Sequence, residues 1–382
     1  WNNSSCFHVF YQLLVSILQI QPSSVNLNQM RSIYSGSFAK YPQLVVNLFY
    51  LISQDFDESY SANKIIEFML EHESSCVSLA GPVFLSLIWN LLMNHEDVYD
   101  RYFDHLKNIL LLSFHDSNIE TIQMAYRIVA KFFDESFVPP QISLHLKDPS
   151  LIRDAIIVLN KSKTFSMTKD TISTLLQNLE HKYVYEYIMK IVVNYGDLIF
   201  ALCELWITNT DPSKSLHILL KILDSRRLSP SEDQAKLILS MFIENLKTDN
   251  PPLAIIGNIL RKMDINSAMK LVFEHSLFIA QFADSVIKKP NNENVLSCFS
   301  LMNLFSANYI VNHFVKLFPK VQDLIEKDDI LKFLSLSILL KIQQSDQVKM
   351  QLLQLGFIKT FVSKIQTNEN RQYGKVFEQL RI

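Results

Sequence analysis

Residue types suited to metal binding meet at only one short segment of this sequence. His72 and Cys76 lie four positions apart with Glu73 between them, and two such ligands on one helix face could hold a zinc ion. The HExxH zinc motif requires a second histidine where Cys76 stands, and the ten histidines do not cluster at ligand spacing. We therefore expect a polar helix end with a buried cysteine, and neither a metal nor another cofactor.

Carboxylate pairs that could perform acid–base chemistry all fall where helices begin or in polar linkers. The pairs are Glu71 with Glu73, Asp97 with Asp100, and Asp328 with Asp329. Acidic residues at such places complement the helix dipole, whereas catalytic carboxylates need a cleft that shifts their pKa. The phosphate-binding patterns GxGxxG and GxxxxGK[ST], the nucleophile elbow GxSxG and the protein-kinase set are absent from the sequence. We expect no catalytic activity in this chain.

Composition restricts the fold and the compartment. The 382 residues include 6 glycines, 36 basic and 38 acidic residues, and 4 cysteines without a CxxC pair. So few glycines disfavour folds built on tight turns and phosphate loops. The net charge of −2 gives no reason to expect nucleic-acid binding. Isolated cysteines fit a reducing compartment such as the cytoplasm, and we expect no transmembrane segment.

The elements that would position any site are helices. Apolar residues recur with a period near 3.6, as at Leu106, Ile109, Leu110 and Phe114, and no convincing strand alternation is found. The polar segment 115–118 is suited to end one helix and cap the next. Long helices alternate with short breaks at intervals of 27 to 44 residues, and we place the unit starts near His105, Ile142, Thr171, Leu198, Lys236, Leu277, His313 and Phe357.

Three segments resemble armadillo repeats. In 349–365 a helix ends at Gly356, and Phe357 and Ile358 open the next helix, as in the armadillo transition. The segments 104–133 and 277–305 are similar to a helix, a polar break and a following helix of that family. Most other units lack the glycine, so a HEAT-like repeat fits them nearly as well as an armadillo repeat. The resemblance implies an all-α fold, a right-handed superhelical α-solenoid of armadillo/HEAT-like repeats that runs continuously through 1–382.

A solenoid of this kind implies binding. We expect a non-catalytic, monomeric scaffold that holds an extended peptide or a neighbouring domain on its concave surface. His313, Lys316, Lys320 and Lys359 could form a basic face that contacts an acidic or phosphorylated protein segment. The tryptophans lack an Asn four residues later, so the signature of armadillo carriers of nuclear-localisation peptides is missing.

Two alternatives remain open at this point. Armadillo- and HEAT-like solenoids also occur as regulatory regions of larger enzymes, including protein kinases and phosphatidylinositol kinases, and as membrane-trafficking coats. The sequence begins at Trp1, and its first 54 residues contain neither Asp nor Glu. We therefore expect a fragment of a longer protein, in which residues 1–60 form a terminal cap or contact an upstream domain.

Overall fold

The computed structural model describes residues 38–53, 59–163, 165–225, 227–273 and 276–343, with the isolated positions 9, 12, 13 and 16. Every regular element in these ranges is an α-helix, which confirms the all-α prediction. The chain divides into two compact units between Thr174 and Leu175, called unit 1 and unit 2 below. Gly356, Phe357 and Lys359 lie outside the described residues.

In unit 1, every second helix along the sequence packs against the next helix of the same set. Its described residues form α1 (Pro42–Ser53), α2 (Ser59–Leu70), α3 (Glu73–Asn94), α4 (Glu96–Ser113), α5 (Ile119–Phe132), α6 (Ile142–His145) and α7 (Ile152–Lys161), and α8 (Lys169–Gln177) runs across the division. Helices α1, α3, α5 and α7 pack successively side by side, and we call them the first series of unit 1. Helix α2 contacts α3 and α4 instead.

Unit 2 follows the same order with more helices. They are α9 (Lys182–Ala201), α10 (Glu204–Ile207), α11 (Pro212–Leu223), α12 (Glu232–Leu246), α13 (Leu253–Lys262), α14 (Ile265–Phe273), α15 (Ser276–Lys288), α16 (Asn292–Met302), α17 (Ala307–Lys327) and α18 (Asp329–Gln343). The first series of unit 2 is α9, α11, α13, α16 and α18, each packed on the next. The remaining helices form a second series, in which α12 contacts α10, α14 and α15, and α15 contacts α17.

Capping residues determine where the helices begin. Asn118 accepts a hydrogen bond from the Glu120 backbone N–H and starts α5, so the break predicted at 115–118 is confirmed. Asp211 caps α11 with Pro212 in its first turn, and Ser231 forms a capping box with Gln234 at α12. Capping side chains satisfy the free N–H groups of a first helical turn.

Several of the unit starts inferred from the sequence are wrong. Ile142 begins α6 and Leu277 lies one residue inside α15, but His105, Leu198, Lys236 and His313 lie well inside helices. The apolar stripe does not distinguish the first turn from later ones, whereas the caps do. In unit 2 the first-series helices α11, α13, α16 and α18 start at 212, 253, 292 and 329, at intervals of 41, 39 and 37 residues.

The sequence predicts that the few glycines lie at turns between helices, as at Gly356, but the described glycines lie within helices. Gly81 is in α3, Gly196 in α9 and Gly257 in α13. A Cβ at Gly81 would come within 2.4 Å of Thr121 Oγ1, and one at Gly257 within 2.6 Å of Ser297 Cβ. Both pairs join neighbouring first-series helices and are 40 positions apart in sequence. These two glycines therefore allow a close approach of helices.

Lysines near helix C-termini join three pairs of first-series helices. Lys161 of α7 donates to the carbonyls of Ala130 and Phe133 at the end of α5. Lys341 of α18 donates to the Asn303 carbonyl, which caps α16, at 2.7 Å. In the third pair, Lys262 of α13 forms an ion pair with the Asp224 carboxylate, at the C-cap of α11. Cations stabilise the negative end of a helix dipole, so each lysine supports the preceding helix.

Helix α3 is apolar along most of its length. It is the one described helix that is long and apolar enough to cross a membrane, and 56% of its most apolar 18-residue window is buried within the protein. Its packing against α1 and α5 is typical of a core helix.

Candidate binding site

The basic face predicted on α17 is only partly described. Lys316 and Lys320 are exposed on α17, four residues apart, and Lys359 lies outside the described residues. His313 is half-buried, and its burial is the main cause that lowers its pKa, with Lys316 lowering it further and Asp284 of α15 opposing the shift. The structure thus brings two exposed lysines and one partly buried histidine onto one helix.

The His72–Cys76 pair is part of the core. Cys76 is fully buried, and burial raises its pKa to about 12, so the thiol stays protonated at neutral pH. The His72 ring stacks on Phe38 and packs edge-on against Phe68, with centroids 4.9 Å apart in both cases. The interpretation of Cys76 as a buried core residue is confirmed. No group of three or more potential metal ligands occurs among the described residues.

A buried titratable pair lies elsewhere in unit 1. Tyr126 Oη and His145 Nδ1 are 2.8 Å apart, and both side chains are less than a tenth exposed. Burial lowers the pKa of His145, although Asp148 and a hydrogen bond to the Phe114 backbone oppose the shift. Burial also raises the pKa of Tyr126. Both groups are therefore neutral at pH 7, and they join α5 to α6 as a structural link.

A polar site lies at a bend in α3. Ala80 leaves the helical conformation at φ −137° and ψ 22°, two residues before Pro82. A proline has no N–H, so Pro82 cannot donate to the Ser78 carbonyl four residues earlier. The bend opens a pocket of about 350 Å³ between α3 and the start of α5, with Gln43 of α1 at its edge. We call it the kink pocket.

Oxygen atoms converge on the face of Gly81 in this pocket. From the point where a Cβ of Gly81 would stand, Thr121 Oγ1 is 2.4 Å away and Asp116 Oδ2 is 3.0 Å away. Thr121 is fully buried, and its hydroxyl has no hydrogen-bond partner. Asp116 uses its other oxygen to accept the Asn118 backbone N–H at 3.2 Å. A buried hydroxyl without a partner costs about 1–3 kcal/mol.

The pocket has acidic and apolar parts. Asp116 and Glu120 are the charged residues that line it, and both are acidic. Leu79 lines the mouth and is 57% exposed, while Ile119, between the lining residues Asn118 and Glu120, is 42% exposed. The carboxylates can accept hydrogen bonds from a positively charged group, and the apolar residues can pack against the methylene chain that carries such a group in lysine or arginine.

Comparison with known proteins assigns no family to this arrangement. No protein-family model matches the chain, and no curated protein is significantly similar to it. The armadillo/HEAT resemblance therefore depends on the residues of this chain alone.

Sequence reasoning missed the kink pocket. The dipeptide Gly81-Pro82 inside a long apolar run is a signal for an interrupted helix, and it could have indicated the bend. The approach of Asp116 and Thr121 to that bend depends on how α5 packs against α3. No spacing in the sequence reports that contact.

Proposed function

We propose that this chain is a helical-repeat binding module, a non-catalytic scaffold whose units are stacks of armadillo/HEAT-like repeats. The supporting observation is the recurrence of one packing plan in both units. First-series helices follow one another with a second set of helices between them in the sequence, and in unit 2 their successive starts are 30, 41, 39 and 37 residues apart. Armadillo and HEAT repeats have about 40–47 residues.

Two recurring contacts support the same proposal. The glycine–hydroxyl contacts at Gly81–Thr121 and Gly257–Ser297 have the same sequence separation and join neighbouring first-series helices in unit 1 and unit 2. Lysines Lys161, Lys262 and Lys341 each reach the C-cap of the preceding first-series helix. Repeated units that contact only their neighbours produce such periodic contacts, and stacks of them present extended surfaces for peptides or domains.

A selection experiment tests the binding function. The purified chain of residues 1–382 is used to select peptides from a random display library, and the affinity of enriched peptides is measured by fluorescence anisotropy. We expect extended peptides to bind saturably. A chain that enriches no peptide and captures none in solution contradicts the proposal.

The basic face on α17 is tested with the same peptides. The double variant K316E/K320E should weaken the binding of acidic or phosphorylated peptides, because it replaces two exposed positive charges by negative ones. The matched control K147E/K169E makes the same change at exposed lysines of unit 1. If K316E/K320E leaves every affinity unchanged, the α17 face has no role in binding.

A further inference from the structure

We propose that the kink pocket binds the guanidinium group of an arginine side chain presented by a protein partner. This assignment rests on the proposed function as a binding module, and it specifies the chemistry of one site on that module.

The charged residues of the pocket favour a cation over an anion. Asp116 and Glu120 line it without a lysine, arginine or histidine among the described lining residues. The N-terminus of α5 also faces this region and carries about half a positive charge. That partial charge is smaller than the two carboxylate charges, and Glu120 stands in the first turn of the helix. The net potential in the pocket is therefore negative.

The polar groups of the pocket need a donor. The buried Thr121 hydroxyl lacks a partner, and Asp116 Oδ2 faces the same bare side of Gly81. Ser78 also lines the pocket, and its carbonyl cannot accept a helical hydrogen bond from Pro82, which has no N–H. A guanidinium group carries five N–H donors in a flat, rigid fork, so it can bond to several acceptors at once.

The volume of the kink pocket and the apolar residues at its edge favour a side chain over a bare metal ion as the ligand. The volume of about 350 Å³ is far larger than one ion needs and is comparable to small-ligand pockets. Leu79 lines the pocket with the two carboxylates and exposes apolar surface. The three methylenes of an arginine would cover that surface while the charged head reached Asp116.

An NMR titration tests the assignment. Isoleucine δ1 methyl groups of the chain are labelled with ¹³C, and the Ile119 signal is identified with the variant I119V. The probe is N-acetyl-arginine-N′-methylamide, and its neutral isostere is the corresponding citrulline compound. We expect a saturable shift of the Ile119 signal with the arginine probe, and an affinity for citrulline lower by about tenfold or more.

Three variants locate the effect. D116N/E120Q should reduce the affinity for the arginine probe by about tenfold, whereas E71Q/D104N, which removes two exposed carboxylates elsewhere in unit 1, should leave it unchanged. T121V keeps the shape and the charge of the pocket, and it should weaken binding several-fold without lowering the thermal midpoint. This last readout separates loss of a ligand contact from loss of folding.

Specific results would overturn the assignment. They are equal affinities for arginine and citrulline, no shift of the Ile119 signal, or equal affinities of D116N/E120Q and E71Q/D104N. Peptides from the selection experiment distinguish this failure from that of the binding function. Peptides that bind saturably but never compete with the arginine probe would leave the module intact and remove only the pocket assignment.

Discussion

Replacing Gly257 with alanine should destabilise unit 2, although the same change stabilises most helices. Gly257 lies inside α13 and faces Ser297 of α16. An added Cβ would stand 2.6 Å from Ser297 Cβ and 3.3 Å from its backbone Cα. Carbon atoms normally pack at about 3.5–4.0 Å, so the two helices would have to separate by roughly 1 Å.

The magnitude follows from two opposing effects. Alanine in a helix interior is favoured over glycine by about 0.5–1 kcal/mol. Overfilling a packed interface costs about 1–3 kcal/mol. The net result for G257A is a loss of about 1 kcal/mol in the free energy of unfolding, within a range of about 0–2.5 kcal/mol.

Gly196 provides a matched control in the same unit. Its added Cβ would lie 3.6 Å from the nearest atom, a methyl carbon of Ile222, which is ordinary contact. G196A should therefore raise the free energy of unfolding by about 0.5–1 kcal/mol. The two glycine-to-alanine changes should alter the free energy of unfolding in opposite directions. Only Gly257 lies where two helices approach too closely for a Cβ atom.

Urea denaturation followed by tryptophan fluorescence measures both changes. Trp206 is fully buried in unit 2 and donates a hydrogen bond to the Ile199 carbonyl, so it reports on this unit once Trp1 and Trp89 are replaced by phenylalanine. The double variant G257A/S297G removes the colliding Cβ and should recover most of the lost stability. An increase in stability for G257A, or a failure of S297G to restore it, would refute the reasoning.

Three further changes test other parts of the structure. S297A should stabilise unit 2 by about 1 kcal/mol in the same urea assay, because the buried Ser297 hydroxyl has no hydrogen-bond partner, and a loss of stability would contradict this. K341M should cost about 1 kcal/mol by removing the hydrogen bond to the Asn303 carbonyl, whereas K320M at an exposed site should change the midpoint little. Burial lowers the pKa of His145 in the folded state, so the unfolded chain binds more protons once the pH falls below about 6.5. Thermal stability should therefore fall between about pH 7 and pH 5, and the fall should be smaller in H145N; equal slopes in thermal scans would disprove this role.

The sequence by itself determined the helical class and many helix boundaries. Apolar residues at a period near 3.6 predict the helices, and capping residues such as Asn118 and Asp211 mark where they start. These signals are local, because a helix satisfies its backbone within a few residues and a cap acts over one turn. The unit starts placed at His105 and His313 were wrong because the apolar stripe runs along the whole helix and does not distinguish its first turn from later ones.

The role of the glycines was decided by tertiary structure alone. Sequence reasoning placed them at turns, yet Gly81 and Gly257 lie inside helices, where each meets a hydroxyl-bearing residue 40 positions later. Their function depends on the distance between two helix axes. That distance is set by packing across the interface and leaves no periodic trace within either helix.

The kink pocket shows the same division between local and tertiary information. Gly81-Pro82 could predict a bend from the sequence, since proline removes a backbone donor wherever it stands in a helix. The convergence of Asp116 and Thr121 on that bend arises only when α5 packs against α3. Local chemistry therefore determines the helices and their interruptions, whereas the packing of distant helices decides which polar atoms share a site.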